Sequence, residues 1–81
     1  MRVRFTTRSR RQYADASSEI QRAFDRRLAL LLQDIRHPSL RAKKYDEAHD
    51  IWQARVTKGW RFYFQIAGDT YLILSLIPHP K

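Results

Sequence analysis

From Trp52 onward the sequence alternates. Trp52, Ala54 and Val56 are interleaved with Gln53, Arg55 and Thr57, and Trp60, Phe62, Phe64 and Ile66 with Arg61, Tyr63 and Gln65. A period of two is that of a strand with one face buried. Thr70 to Ile77 is apolar on both faces, as suits a central strand, while Gly59 and Gly68-Asp69 mark the intervening turns. Three such strands form an antiparallel sheet with one aromatic face, and only the first half of the chain can cover it.

That first half supplies helices. Ser18, followed three positions later by Gln21, reads as a capping box, and Ile20, Ala23, Phe24, Leu28, Leu31, Leu32 and Ile35 recur at spacings of three and four. This amphipathic helix is expected to stop at His37-Pro38, because a residue before proline is pushed out of the helical region. A shorter, Arg-rich helix is expected over 8–15, capped by Thr6 or Thr7. Arg2-Val3-Arg4-Phe5 alternates as a short strand. Residues 38–50, polar and irregular, read as a long connection with a basic first half and an acidic second half. The expectation is an α+β domain of order β-α-α-β-β-β, its two helices packed on one face of a small, mostly antiparallel four-stranded sheet. At 81 residues, with no internal repeat and no Gly/Ser linker, residues 1–81 are expected to form a single domain.

Composition narrows the chemistry. Without cysteine there is no disulfide, thiolate zinc site or Cys nucleophile, which fits a reducing cytosol. No apolar run suits a membrane span, and Met1-Arg2-Val3-Arg4-Phe5 has no secretory apolar core, so a cytoplasmic protein with no membrane partner is expected. The three histidines have no ligand spacing and the acids are scattered, so neither a metal nor another cofactor is expected. Sixteen Lys+Arg against eight Asp+Glu leave a net charge of +8, a field that attracts polyanions. Twelve of the sixteen cations are Arg, whose planar fork suits phosphate oxygens.

Strand register places part of this charge. A two-residue Lys58-Gly59 loop would pair Arg55 with Phe62 and put a charge on the aromatic face. A three-residue loop, Thr57-Lys58-Gly59, pairs Val56 with Trp60, Ala54 with Phe62 and Trp52 with Phe64, with Gly59 in the left-handed position. In that register Arg55 faces Arg61, and Gln53 faces Tyr63, on the outer side of the sheet. Opposed like charges are destabilising. Either the two guanidiniums splay into solvent or pair with Asp or Glu of 46–50, or they clamp a phosphate.

In the same register Ser75 is expected beside Arg61, and His79 emerges at the strand end on that face, as an ordinary surface residue or as a proton carrier. His37 reads as a helix-ending residue, and His49 as the partner of Asp46, Glu47 or Asp50. Several cations, a Tyr, a His and no carboxylate cluster suit RNA cleavage without a metal: a 2′-hydroxyl attacks the adjacent phosphorus, arginine offsets the added charge, and a base and an acid move protons.

His37-Pro38-Ser39-Leu40-Arg41-Ala42-Lys43-Lys44, Ile51-Trp52-Gln53-Ala54-Arg55-Val56, Gly59-Trp60-Arg61-Phe62-Tyr63-Phe64 and the stretch from Asp69 to His79 together resemble, in order and spacing, the RelE/ParE toxins of bacterial type II toxin–antitoxin systems. The resemblance implies a RelE-like protein that cuts mRNA in the ribosomal A site without a metal and is silenced by an antitoxin. The alternative readings are a ParE-like inhibitor of DNA gyrase without nuclease residues, or an inactive toxin fold that only binds its antitoxin. By the same resemblance Arg61 matches the arginine that contacts the scissile phosphate, and Gln53 and Arg55 stand where nuclease members carry basic residues. Lys43 and Lys44 match the basic stretch associated with RNA binding. The resulting candidates are Arg55, Arg61, His79 and Tyr63 for catalysis, and Arg41, Lys43, Lys44 and Gln53 for RNA binding. Two departures stand out: Gln53 replaces a cation, and after the last strand, where nuclease members carry a further basic residue and a Tyr or His, only His79 is found.

Overall fold

The computed structural model describes residues 1–79. Its elements follow the order β1 (Arg2–Phe5), α1 (Thr7–Asp15), α2 (Ser18–Gln33), a 3₁₀ turn (Pro38–Leu40), β2 (Lys43–Asp46), β3 (Ile51–Thr57), β4 (Trp60–Ala67) and β5 (Thr70–Pro78). The sheet has five strands rather than the expected four, in the order β1-β5-β4-β3-β2, with β1 parallel to β5 and every other pair antiparallel. The additional strand is β2, which falls in the stretch expected to be irregular. Its polar run, Lys43-Lys44-Tyr45-Asp46, pairs as an edge strand whose outer side needs no apolar residue.

Both helix starts are capped by hydroxyls. Thr6 accepts from the Ser9 amide at 3.0 Å, and Ser17, not Ser18, accepts from the Ile20 amide at 3.2 Å. Gln21 is therefore no capping-box partner: its Nε2 donates instead to the Tyr13 carbonyl at 2.8 Å and ties α2 to α1. Nor does α2 run to His37-Pro38. It ends at Gln33, with the Asp34 amide bonded to the Leu30 carbonyl at 2.8 Å, and His37 Nδ1 instead accepts from the Ser39 amide to open the 3₁₀ turn. Proline thus limits the helix from farther away than the residue before it.

The covered face holds Phe24 and Leu31 of α2 against Ala54, Val56, Phe62, Phe64 and Ile73 of the sheet. Phe24 meets Phe62 edge to face at 5.2 Å, and Phe64 meets Tyr71 at 5.6 Å in the same way. Below β1, the edge of β5 is covered by α1. Ser9 Oγ donates to the Ile73 carbonyl at 2.8 Å, and Gln12 Oε1 accepts from the Leu76 amide at 2.9 Å. Side chains of α1 therefore satisfy backbone groups that a further strand would otherwise take.

Three bulges tune the register. The pairs Trp52–Phe64, Gln53–Tyr63, Ala54–Phe62 and Arg55–Arg61 are those expected, but Trp60 pairs with Thr57, not Val56. The hairpin turn is the two-residue Lys58-Gly59, the extra residue lies in the strand at Val56, and Gly59 does not take the left-handed conformation. A bulge inserts one residue without flipping those beyond it, so the outer face keeps both arginines while Val56 stays fully buried. A second bulge, at Leu74, shifts the buried phase of β5 from Tyr71 and Ile73 to Leu76. This shift is one reason the strand reads as apolar in both phases; the half-buried Leu72 and Leu74 on the outer side are the other. The bulge also moves Ser75, which stands opposite Tyr63 rather than beside Arg61; Ile77 faces Arg61. The third lies between Lys44 and Asp46 in β2.

Candidate functional site

The uncovered face of the sheet carries a cleft of about 190 Å³ lined by Arg41, Lys43, Gln53, Arg55, Arg61 and His79. Three structural devices bring these together. The β3–β4 register sets Arg55 against Arg61. The β2–β3 pairing sets Lys43 against Gln53. The His79 amide donates to the Gly59 carbonyl at 2.8 Å, holding the end of β5 beside the hairpin turn. Six of the eight residues singled out in the sequence thus meet in one place.

Arg61 is less exposed than its outward register suggests. Its Nη1 reaches the carbonyls of Thr57 at 2.7 Å, Trp60 at 2.9 Å and Lys58 at 3.2 Å, so its own hairpin turn orients the guanidinium. Burial first, then the neighbouring Arg55 charge and more weakly Arg41, push its pKa down from the usual arginine value. Arginine nonetheless stays charged. Among the described residues neither Arg55 nor Arg61 has a carboxylate partner. The acids of 46–50 are engaged elsewhere: Asp46 with His49 at 2.9 Å, and Glu47 and Asp50 with Lys44.

Arg41 adds backbone strain to charge. It ends the 3₁₀ turn at φ 47°, a left-handed conformation that costs a non-glycine residue roughly 1 kcal/mol. That conformation directs the chain from the turn into β2 while placing a cation at the cleft wall.

Lys44 and Tyr63 do not line the cleft. Strand alternation puts Lys44 opposite Trp52, its Nζ 5.1 Å from the indole centroid and bonded to Asp50. Tyr63 is only 9% exposed; its hydroxyl accepts from Gln53 Nε2 at 2.9 Å, and the Tyr45 ring covers it at 4.9 Å. Gln53 is buried too, so where the resemblance expects a cation this chain has a neutral amide that holds Tyr63 in place.

Sequence reasoning missed Arg27 and Lys58. Arg27 donates from Nε to the Val56 carbonyl and from Nη1 to the Ser39 carbonyl, each at 3.1 Å, linking α2 to β3 and to the 3₁₀ turn that carry Arg55 and Arg41. Its signal was present: Arg27 lies three positions after Phe24 and four before Leu31, a cation inside the apolar stripe.

Neither a protein-family model nor a curated protein matches this sequence. Solved structures do. The YoeB/ParE toxin from Agrobacterium tumefaciens superposes with a TM-score of 0.83 at 13% identity, over 99% of this chain and 100% of that one. This is the RelE/ParE toxin fold. The isolated E. coli RelE toxin gives a TM-score of 0.78 at 14% identity, over 99% of this chain and 85% of RelE. The Mycobacterium tuberculosis RelBE2 toxin–antitoxin complex gives 0.76 at 23% identity, over 96% of each chain. These likenesses establish the α+β RelE-like architecture for a chain in which no helix of the described residues is long and apolar enough to cross a membrane.

Proposed function

We propose that this RelE/ParE-fold protein is the toxin of a type II toxin–antitoxin pair, an endoribonuclease that cuts mRNA on the ribosome without a metal cofactor and is silenced by an antitoxin laid over its basic face. The observation that carries the reading is the Arg55–Arg61 pair, set opposite each other with no carboxylate partner among the described residues. A phosphate between the two would turn their repulsion into bidentate attraction.

In this mechanism the 2′-oxygen attacks the adjacent phosphorus as its proton is taken up, the bond to the 5′-oxygen breaks, and that oxygen leaves protonated. The products are a 2′,3′-cyclic phosphate and a 5′-hydroxyl. Arg55 and Arg61 stabilise the charge that builds on the non-bridging oxygens. His79, the imidazole at the cleft, accepts or donates the proton. Arg41 and Lys43 hold the RNA backbone, and among the described residues the cleft lining offers no carboxylate to a divalent ion. Solved neighbours include RelE bound to an antitoxin, in the intact E. coli RelBE complex. The same chemistry suits an acidic partner here.

One observation favours a second reading, a ParE-like inhibitor of DNA gyrase. Tyr63 is covered and hydrogen-bonded, which leaves His79 as the one imidazole or phenol lining the cleft among the described residues. Expression from a tightly controlled promoter separates the readings. Messenger RNA cut at codons in the ribosomal A site supports the nuclease. Double-stranded DNA breaks with an SOS response support the gyrase inhibitor. Normal growth with neither contradicts both and leaves an inactive, antitoxin-binding fold.

A further inference from the structure

Next to the cleft lies a second hollow of about 400 Å³, between the Pro38–Leu40 turn and the β3–β4 turn, into which Arg27, Arg41, Arg55 and Lys58 project with Ser39. Four cations come from four separate pieces of the fold: α2, the residue after the 3₁₀ turn, β3 and the hairpin turn. Among the described residues none of the four is paired with a carboxylate, whereas Arg2 faces Asp69 and Lys44 faces Glu47 and Asp50. Gathering four unpaired cations around one hollow is unfavourable unless an anion enters it. Arg27 is moreover fixed: carbonyls of Val56 and Ser39 occupy its Nε and Nη1, leaving Nη2 to donate elsewhere.

We propose that this hollow is a second phosphate subsite, and that it takes the phosphate next to the one held between Arg55 and Arg61. Arg41 and Arg55 belong to both hollows, so one polyanionic strand lies across both without a gap. The ligand is single-stranded RNA, held here through its backbone and not through its bases. The RNA path therefore crosses the root of the β3–β4 hairpin, from the cleft beside His79 to the 3₁₀ turn. The identity of the ligand rests on the nuclease reading; the cation geometry does not.

The test is a phosphate scan. A tetranucleotide carrying 2′-O-methyl groups, and hence uncleavable, is bound to the full chain at low salt, with each phosphate replaced in turn by a neutral methylphosphonate. The wild-type protein is expected to lose affinity several-fold at two adjacent positions. In Lys58→Ala one of these losses disappears and the other stays; in Arg61→Gln the reverse holds. Lys58 is exposed at a turn, so its removal leaves the fold intact. A single sensitive phosphate, or a Lys58→Ala variant weakened equally at every position, overturns the second subsite while leaving the Arg55–Arg61 clamp standing. A wild type that binds no tetranucleotide overturns the second subsite alone, because the nuclease reading places the RNA on the ribosome. An Arg61→Gln variant that also leaves the scan unchanged removes the Arg55–Arg61 clamp, and the nuclease reading with it.

Discussion

Arg61 binds its own hairpin turn with the guanidinium that faces the cleft, so replacing it acts twice. Arg61→Ala loses three carbonyl contacts and is expected to lower unfolding free energy by about 1–2 kcal/mol in urea titrations, as well as abolishing toxicity. Arg55→Ala separates the two effects. Arg55 has no carboxylate partner among the described residues and faces a like charge, so stability should stay within about 0.5 kcal/mol of wild type, or rise, while function is lost. Arg41→Gly relieves a left-handed backbone but adds chain entropy to the unfolded state. Unfolding is expected within about 1 kcal/mol of wild type, with weaker RNA binding by anisotropy. A variant that gains stability and loses function marks strain kept for the site.

At the scale of elements, α1 is an edge cover as much as a helix. Gln12→Ala leaves the Leu76 amide without its acceptor, which is expected to cost about 1–2 kcal/mol and several degrees in Tm by calorimetry. The alkaline limb of stability reports on β5. Burial, with Asp34 assisting, pushes the Tyr71 hydroxyl pKa up. Ionisation then comes earlier in the unfolded chain, so stability falls as pH rises past about 10. Tyr71→Phe is expected to flatten that fall in urea titrations across the alkaline range.

The strands β3 and β4 were legible in the sequence because burial on one face forces alternation, and a slip by one residue would have exposed Phe62 and Phe64. The Arg55–Arg61 opposition followed from the same reasoning. Strand β2 was not legible, because an edge strand with one half-open side needs neither apolar residues nor alternation. The bulges at Val56 and Leu74 were equally hidden: a bulge and a longer turn give the same far register, and only the backbone separates them. Tyr63 shows the corresponding limit at the site. Register places it correctly on the outer face, but its burial depends on Tyr45, a residue of the edge strand β2 that no sequence pattern marks.

For the whole molecule, the charge of +8 divides into work and background. Cations of the helices' outer faces, such as Arg22 and Arg26, are exposed and add only long-range attraction. Those around the two hollows are held by register, by a strained turn and by carbonyl bonds, on a sheet whose other face is fully used for the core. One face of the sheet thus serves stability, and the proposed function assigns the other to anions. The most direct measurement is mapping of mRNA 3′ ends after adding purified protein to programmed ribosomes, with wild type and Arg55→Ala side by side. The prediction is cleavage inside the A-site codon, ending in a 2′,3′-cyclic phosphate, by wild type and none by Arg55→Ala at equal folded concentration. Equal cleavage by both proteins, or none by either, would contradict the assignment of the arginine pair as the catalytic clamp.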